Sequence, residues 1–132
     1  MSAAELLQSH FRTIKVDPPA WRSLFATDAV MEMPFAPHGP QVLKGIDVIM
    51  ETMSGPFEQF GDDFKITPKS VYQVQGEDAV FAEFSLVTTV KPTGKIYNQD
   101  YILYLRAKDG KIVLYREYFD GPRVVAAFTP DN

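Results

Sequence analysis

The hydrophobic periodicity of this chain changes once, near Phe64, and that change constrains the fold more than any other feature. Before it, Leu7, Phe11 and Ile14 recur at i, i+4 and i+7 with Leu6 and His10 beside them, so residues 3–15 read as an amphipathic helix. Asp17 followed by Pro18 has the form of an N-cap and first-turn proline, opening a short second helix that carries Trp21, Leu24 and Phe25. After Phe64 the pattern has period two over residues 64–75, 79–91, 96–107 and 111–120. Turn signals separate these runs at Gly76-Glu77-Asp78, Pro92-Thr93-Gly94 and Asp109-Gly110.

Between the two regimes, Asp28 to Phe35 has the β-prone core of a strand. Pro34, Pro37, Gly39 and Pro40 then force a stiff loop that rims something, because proline removes ladder donors. Ile46, Ile49, Met50 and Met53 return to helical spacing after Gly45, and Gly55-Pro56 ends or kinks that helix before Phe57 and Phe60. Pro122 opens a last short helix with Val124, Val125 and Phe128. The expectation is an α+β fold in which helices cover one face of a curved antiparallel sheet.

Asp109-Gly110 is a preferred two-residue hairpin turn, since both positions need positive φ. Counting outward pairs Tyr104 with Tyr115, Ile102 with Glu117 and Asp100 with Phe119, all on one face. Leu103, Leu105, Leu114, Arg116 and Tyr118 take the other, where Arg116 and Tyr118 serve a salt bridge or a subunit contact. In this register Asp100 and Glu117 are diagonal neighbours, near enough to couple on a dry face.

Length and composition bound the rest. At 132 residues the chain suits a single domain spanning 1–132, and sixteen Phe and Tyr can line a cavity as well as fill a core. A net charge of −4 without a Lys/Arg cluster argues against nucleic acid or an anionic membrane surface as partner. Without cysteine there is no disulfide, thiol nucleophile or cysteine-ligated metal, and no histidine pair has ligand spacing, so no metal and no cofactor are expected. The start lacks a basic segment followed by a long apolar run, and no apolar stretch reaches membrane-spanning length, which makes a cytoplasmic location the expectation.

The candidate chemistry centres on Glu117. Set between inward-facing Tyr115 and Phe119, it is desolvated toward a neutral pKa, as a general acid or base requires; the competing reading is a hydrogen-bonded or water-bridged core carboxylate. Asp100 shares a proton with it, holds a tyrosine hydroxyl, or sits in water at a strand end. His38, in the proline-rich loop, reaches a ligand or is solvated. His10 donates into the pocket or is satisfied by a neighbouring carbonyl. Hydroxyls of Tyr104 and Tyr115 are placed to orient a substrate oxygen.

Three segments agree in type and order with a known family: Trp21 to Pro37, Leu43-Lys-Gly-Ile, and Lys108-Asp-Gly-Lys-Ile followed by Tyr115-Arg-Glu-Tyr-Phe-Asp. Through them nearly the whole chain resembles the SnoaL-like branch of the nuclear-transport-factor-2-like superfamily, which holds isomerases, epoxide hydrolases, cyclases and non-catalytic binders. The resemblance implies a cone-shaped α+β barrel, a curved antiparallel sheet packed on N-terminal helices around an apolar pocket, and a homodimer through sheet faces. In steroid-isomerase relatives the base precedes the proline ending the first strand, a position held here by Met33; Glu32 replaces it only if a bulge rotates the strand. The isomerases' oxyanion donors would match His10 or Phe11 and either Ile102 or Asp100. Arg116-Glu117-Tyr118 looks similar to the Arg-Glu-aromatic sequence carrying the acid/base glutamate of phenazine-biosynthesis relatives.

Taken together, these readings make Glu117, Asp100, His38 and Glu32 the catalytic candidates. Trp21, Phe25, Met33, Phe35 and Met53 are expected around the substrate. Phe57, Phe60, Tyr104, Tyr115 and Phe119 are expected there too. The expected activity is cofactor-independent acid/base isomerisation, cyclisation, hydration or hydrolysis of a hydrophobic cyclic or polyketide-like molecule. The alternative is a non-catalytic binder of a small hydrophobic ligand.

Overall fold

The computed structural model describes residues 1–131. In chain order the elements are α1 (Ala3–Thr13), α2 (Pro18–Arg22), β1 (Phe25–Met33), β2 (Gln41–Lys44) and α3 (Ile46–Gln59). After them come β3 (Lys65–Gln73), β4 (Ala79–Val90), β5 (Lys95–Lys108), β6 (Lys111–Phe119) and α4 (Gly121–Phe128). Side chains take up the orphan N–H groups at three helix starts: Ser2 and Glu5 form a capping box on α1, Asp17 caps α2, and Asp120 caps α4 ahead of Pro122.

The six strands form one open sheet in the order β2-β1-β6-β5-β4-β3. The expected antiparallel meander holds from β3 to β6, but β1 lies parallel to β6, so the sheet is mixed. That parallel pair lets β1 leave the helices, run beside the chain's last strand and fold back into β2. Four-residue β2 has no counterpart among the expected strands, because the prolines before it mask so short a pattern; it pairs with the second half of β1. Edge strand β3 carries a register shift at Pro68, which has no ladder donor to offer.

Of the two outcomes expected at Gly55-Pro56, an end or a kink, the end does not occur: α3 runs on through Pro56 to Gln59. It lies across β1, and Phe57 and the following Phe60 are delivered to the inner face. α1 lays Leu6, Leu7 and His10 against that face, where β5 contributes Leu103 and Leu105 and β6 contributes Ile112 and Tyr115.

The terminal hairpin closes as expected through Asp109-Gly110, with φ of 52° and 77° and Lys108 opposite Lys111. The register counted from it then fails. Between Ala107↔Ile112 and Arg106↔Leu114, β6 spends one extra residue, Val113, in a bulge. Beyond it Leu105 faces Tyr115, Leu103 faces Glu117 and Tyr101 faces Phe119. One residue of slip exchanges the two faces of β5 relative to β6. Leu103 and Leu105 therefore join Tyr115 and Glu117 inside, while Asp100, Ile102 and Tyr104 share the outer face with Arg116 and Tyr118.

Candidate functional site

A cavity of about 300 Å³ opens between the inner face of the sheet, α3 and α4. The β-sheet sends Met33, Phe84, Tyr97, Tyr101, Glu117 and Phe119 into it; α3 sends Met53, Pro56 and Phe57, and α4 sends Val124 and Phe128. Ala36 and Pro37 bring the proline-rich loop to its rim, as that loop's stiffness suggested. Aromatic rings dominate the wall: Phe60 stacks on Tyr97 at 5.7 Å and Phe84 on Tyr101 at 5.0 Å. Such a wall excludes water and holds a flat apolar body.

Glu117 is the one carboxylate among the lining residues described. Its residual exposure opens onto the cavity, and desolvation raises its pKa to about 7, against the opposing pull of a hydrogen bond from Tyr115. The Tyr115 hydroxyl donates to Glu117 Oε2 at 2.9 Å. Oε1 has no hydrogen-bond partner among the described residues, and no fully buried side-chain oxygen there is left unpartnered, so Oε1 looks onto the cavity.

Behind Tyr115 stands His10, fully buried, its Nε2 3.3 Å from the tyrosine oxygen. Trp21 donates its indole N–H to His10 Nδ1 at 2.9 Å. Burial lowers the histidine pKa to about 3, which keeps the ring neutral across the ordinary pH range. His10 is thus satisfied by an indole and a phenol, not by the carbonyl that sequence reasoning offered.

A second polar group lies on β5. Gln99 is fully buried: its Oε1 accepts from the backbone N–H of Asp100 and Asp120, and its Nε2 donates to the Asp120 carbonyl and the Tyr97 hydroxyl. Tyr97 and Tyr101 share one hydroxyl–hydroxyl bond of 2.7 Å. Two hydroxyl protons serve that single bond, so the pair keeps one O–H to offer a ligand. Desolvation raises both phenol pKa values, Tyr97 to about 12, and the Glu117 charge raises them further. Both therefore stay protonated donors near the carboxylate.

Sequence reasoning missed Tyr97, Gln99 and Tyr101 because the bulge at Val113 reversed their parity. The odd-numbered run Tyr97, Gln99, Tyr101, Leu103 was the available signal, once freed from the turn count.

The structure brings Glu117, Tyr115, Phe119, Met33, Met53, Phe57 and Phe60 together around the cavity. It places the other candidates elsewhere. Asp100 lies on the outer face in ion pairs with Arg123 at 3.0 Å and Lys69 at 3.2 Å, which hold its carboxyl below the usual range. Tyr104, on the same face, donates to Glu77 at 2.9 Å and lies against the Arg116 guanidinium. No bulge turns Glu32 inward: it pairs with Arg116 at 3.0 Å across the parallel β1–β6 rung, outside. His38 is exposed in its loop and absent from the cavity wall. Phe35 is 62% exposed, its ring against Tyr118. Trp21 and Phe25 are buried behind the wall and support it, Trp21 packing on Phe57 at 5.4 Å.

Met33 lines the cavity, and continuing the parallel register of Glu32 with Arg116 sets it beside Glu117. The carboxylate of this pocket therefore comes from β6, one strand over from the first-strand position discussed above.

Comparison with known proteins agrees with this architecture. The chain is 30% identical over 129 residues to a PhzA/B-like protein of Pseudomonas aeruginosa, covering 96% of this chain and 90% of the relative. A solved structure of a candidate isomerase from Bacillus subtilis superposes with a TM-score of 0.86 at 32% identity, covering 96% of this chain and 91% of that one. A phenazine biosynthesis-related protein of Pseudomonas aeruginosa shares the fold alone, with a TM-score of 0.81 at 18% identity over 98% of this chain and 84% of that one. The family model of the SnoaL-like domain matches residues 9–115, and with these likenesses it shows that the chain belongs to the SnoaL-like family.

Proposed function

We propose that this protein is a cofactor-independent acid/base catalyst that isomerises, cyclises or hydrates a small hydrophobic molecule, with Glu117 moving the proton. The observation that carries the reading is a single carboxylate in an aromatic cavity, one oxygen held by Tyr115 and the other free, with a pKa raised to about 7. A base that is half ionised near neutrality both takes and returns a proton without a large driving-force penalty. The spare hydroxyl of the Tyr97–Tyr101 pair is the group that steadies a substrate oxygen as charge develops on it. The cyclic, polyketide-like or otherwise flat character of the substrate fits the stacked walls.

Two further parts of the reading are assembly and location. A homodimer through the outer sheet face is supported by Phe81, Ile102 and Tyr118 on that face, and a cytoplasmic location is proposed with it; no described helix is long and apolar enough to cross a membrane. The alternative, a non-catalytic binder, is favoured by the thioether of Met33 where isomerase relatives hold their base.

The test is solvent-deuterium incorporation next to the carbonyl of small cyclic ketones, followed by NMR. Glu117→Gln is expected to abolish incorporation while ligand affinity stays within a few-fold. Equal rates for the two proteins would remove Glu117 from the mechanism. Tight binding without incorporation in the unaltered protein would select the binder.

A further inference from the structure

The Trp21–His10–Tyr115 chain has a direction, and the direction follows from donor chemistry. An indole N–H only donates, so His10 Nδ1 must accept. In the neutral ring the proton then sits on Nε2, which leaves the Tyr115 oxygen as its acceptor. Tyr115 has one proton and spends it on Glu117 Oε2. Each group in the row donates toward the cavity.

Protonation of Glu117 would ordinarily open a second arrangement. A proton on Oε2 would be donated to Tyr115, and Tyr115 would turn its own proton to His10 Nε2. That reversal needs a hydrogen on Nδ1, facing the indole N–H head-on, and two donors pointed at each other in a dry interior lose a bond and leave buried groups unsatisfied.

We infer that Trp21 and His10 are positioning residues: by locking the row in one direction, they forbid the proton of Glu117 from residing on Oε2 and keep it on Oε1, the oxygen that meets the ligand. The inference rests on Glu117 as the proton-carrying group of the proposed function. It says which oxygen works and what holds it there. Neither Trp21 nor His10 touches the cavity, so both act through Tyr115. The titratable neighbours of Glu117 are Tyr115 on its own strand, Tyr97 and Tyr101 on β5 and, behind Tyr115, His10 on α1. β1, α3 and α4 send only apolar or uncharged side chains.

The chain has a single tryptophan and two histidines, so the readout is uncluttered. Nitrogen-15 NMR of His10 is expected to show the Nε2–H tautomer both above and below pH 7 in the unaltered protein. Trp21→Phe removes the opposing donor and opens the reversed arrangement to protonated Glu117. In that variant His10 is expected to switch to Nδ1–H as the pH falls. The Glu117 pKa, followed by carboxyl carbon-13 NMR, should rise by roughly half to one pH unit, the equivalent of one modest hydrogen bond. A fluorotryptophan at position 21, which keeps the N–H, should restore both values; a merely space-filling role for the indole would leave them unmoved in Trp21→Phe. An Nδ1–H tautomer in the unaltered protein at either pH would overturn the inference, as would a Trp21→Phe protein with unchanged tautomer and unchanged Glu117 pKa. Neither readout uses a substrate, so a failed deuterium assay strikes the catalytic reading alone, and an Nδ1–H tautomer strikes the lock alone.

Discussion

At the scale of single residues, the cavity separates a proton-transfer group from an oxygen-holding group, and the two should fail differently. If Glu117 acts as base, deuterium incorporation should rise with pH through about 7, because the ionised form is the active one. Replacing both Tyr97 and Tyr101 by Phe takes away the spare O–H of the pair without touching the carboxylate row, whereas Tyr101→Phe alone frees the Tyr97 O–H for the ligand. The double replacement should slow the reaction by roughly 100- to 1,000-fold, as removal of one oxyanion donor does, while leaving that midpoint near 7. A pH–rate profile that loses its midpoint in the double variant would show that the two groups are not separable. The charge on Asp100 and the hydroxyl of Tyr104, both committed outside the cavity, have no part in this division.

At the scale of elements, the terminal hairpin shows how far sequence reasoning reaches. The turn was legible because Asp109-Gly110 has a steric demand few other pairs meet; the bulge was not, because Val113 carries no local mark and is set by how β6 must bend between β1 and β5. The inward placement of Glu117 survived the error, since its parity with Tyr115 and Phe119 lies within one strand. Only the cross-strand partners moved. The same logic covers β2, too short for a pattern, and Pro56, which α3 absorbs. The hairpin itself is testable: Gly110→Ala puts a side chain at φ 77° and its Cβ at 2.9 Å from the Met1 backbone nitrogen. A loss of about 1–2 kcal/mol in urea unfolding is expected from the left-handed conformation. A change of a few tenths would mean that the turn relaxes freely.

At the scale of the whole molecule, two buried groups pull stability in opposite directions with pH. His10 has its folded pKa lowered to about 3, so the unfolded chain binds its proton first and stability is lost as pH falls from 6.5 toward 3, by up to roughly 5 kcal/mol. Glu117 has its folded pKa raised from 4.5 to about 7, so the folded chain holds that proton longer and stability is lost as pH rises across that interval, by at most roughly 3 kcal/mol. Between pH 4.5 and 6.5 the two slopes oppose each other. Urea unfolding should therefore show a plateau there in the unaltered protein. Glu117→Gln should replace it with a continuous climb from pH 3 to 6.5; a plateau persisting in that variant would contradict the burial of the carboxylate. The architecture was readable from periodicity because helix and strand patterns each fill a long segment. The polar rows were not, because each joins residues from separate elements: Trp21, His10 and Tyr115 in one, Gln99 and Asp120 in the other.

The open sheet leaves β3 with one row of backbone donors and acceptors unpaired. Another copy of the chain could add itself along such a rim and continue into a fibrillar stack. Lys65 brings repelling charge to that border, and Pro68 interrupts its hydrogen-bonding line at the register break. The residues that look least strand-like in β3 are therefore the ones that blunt its open edge as a template for another strand.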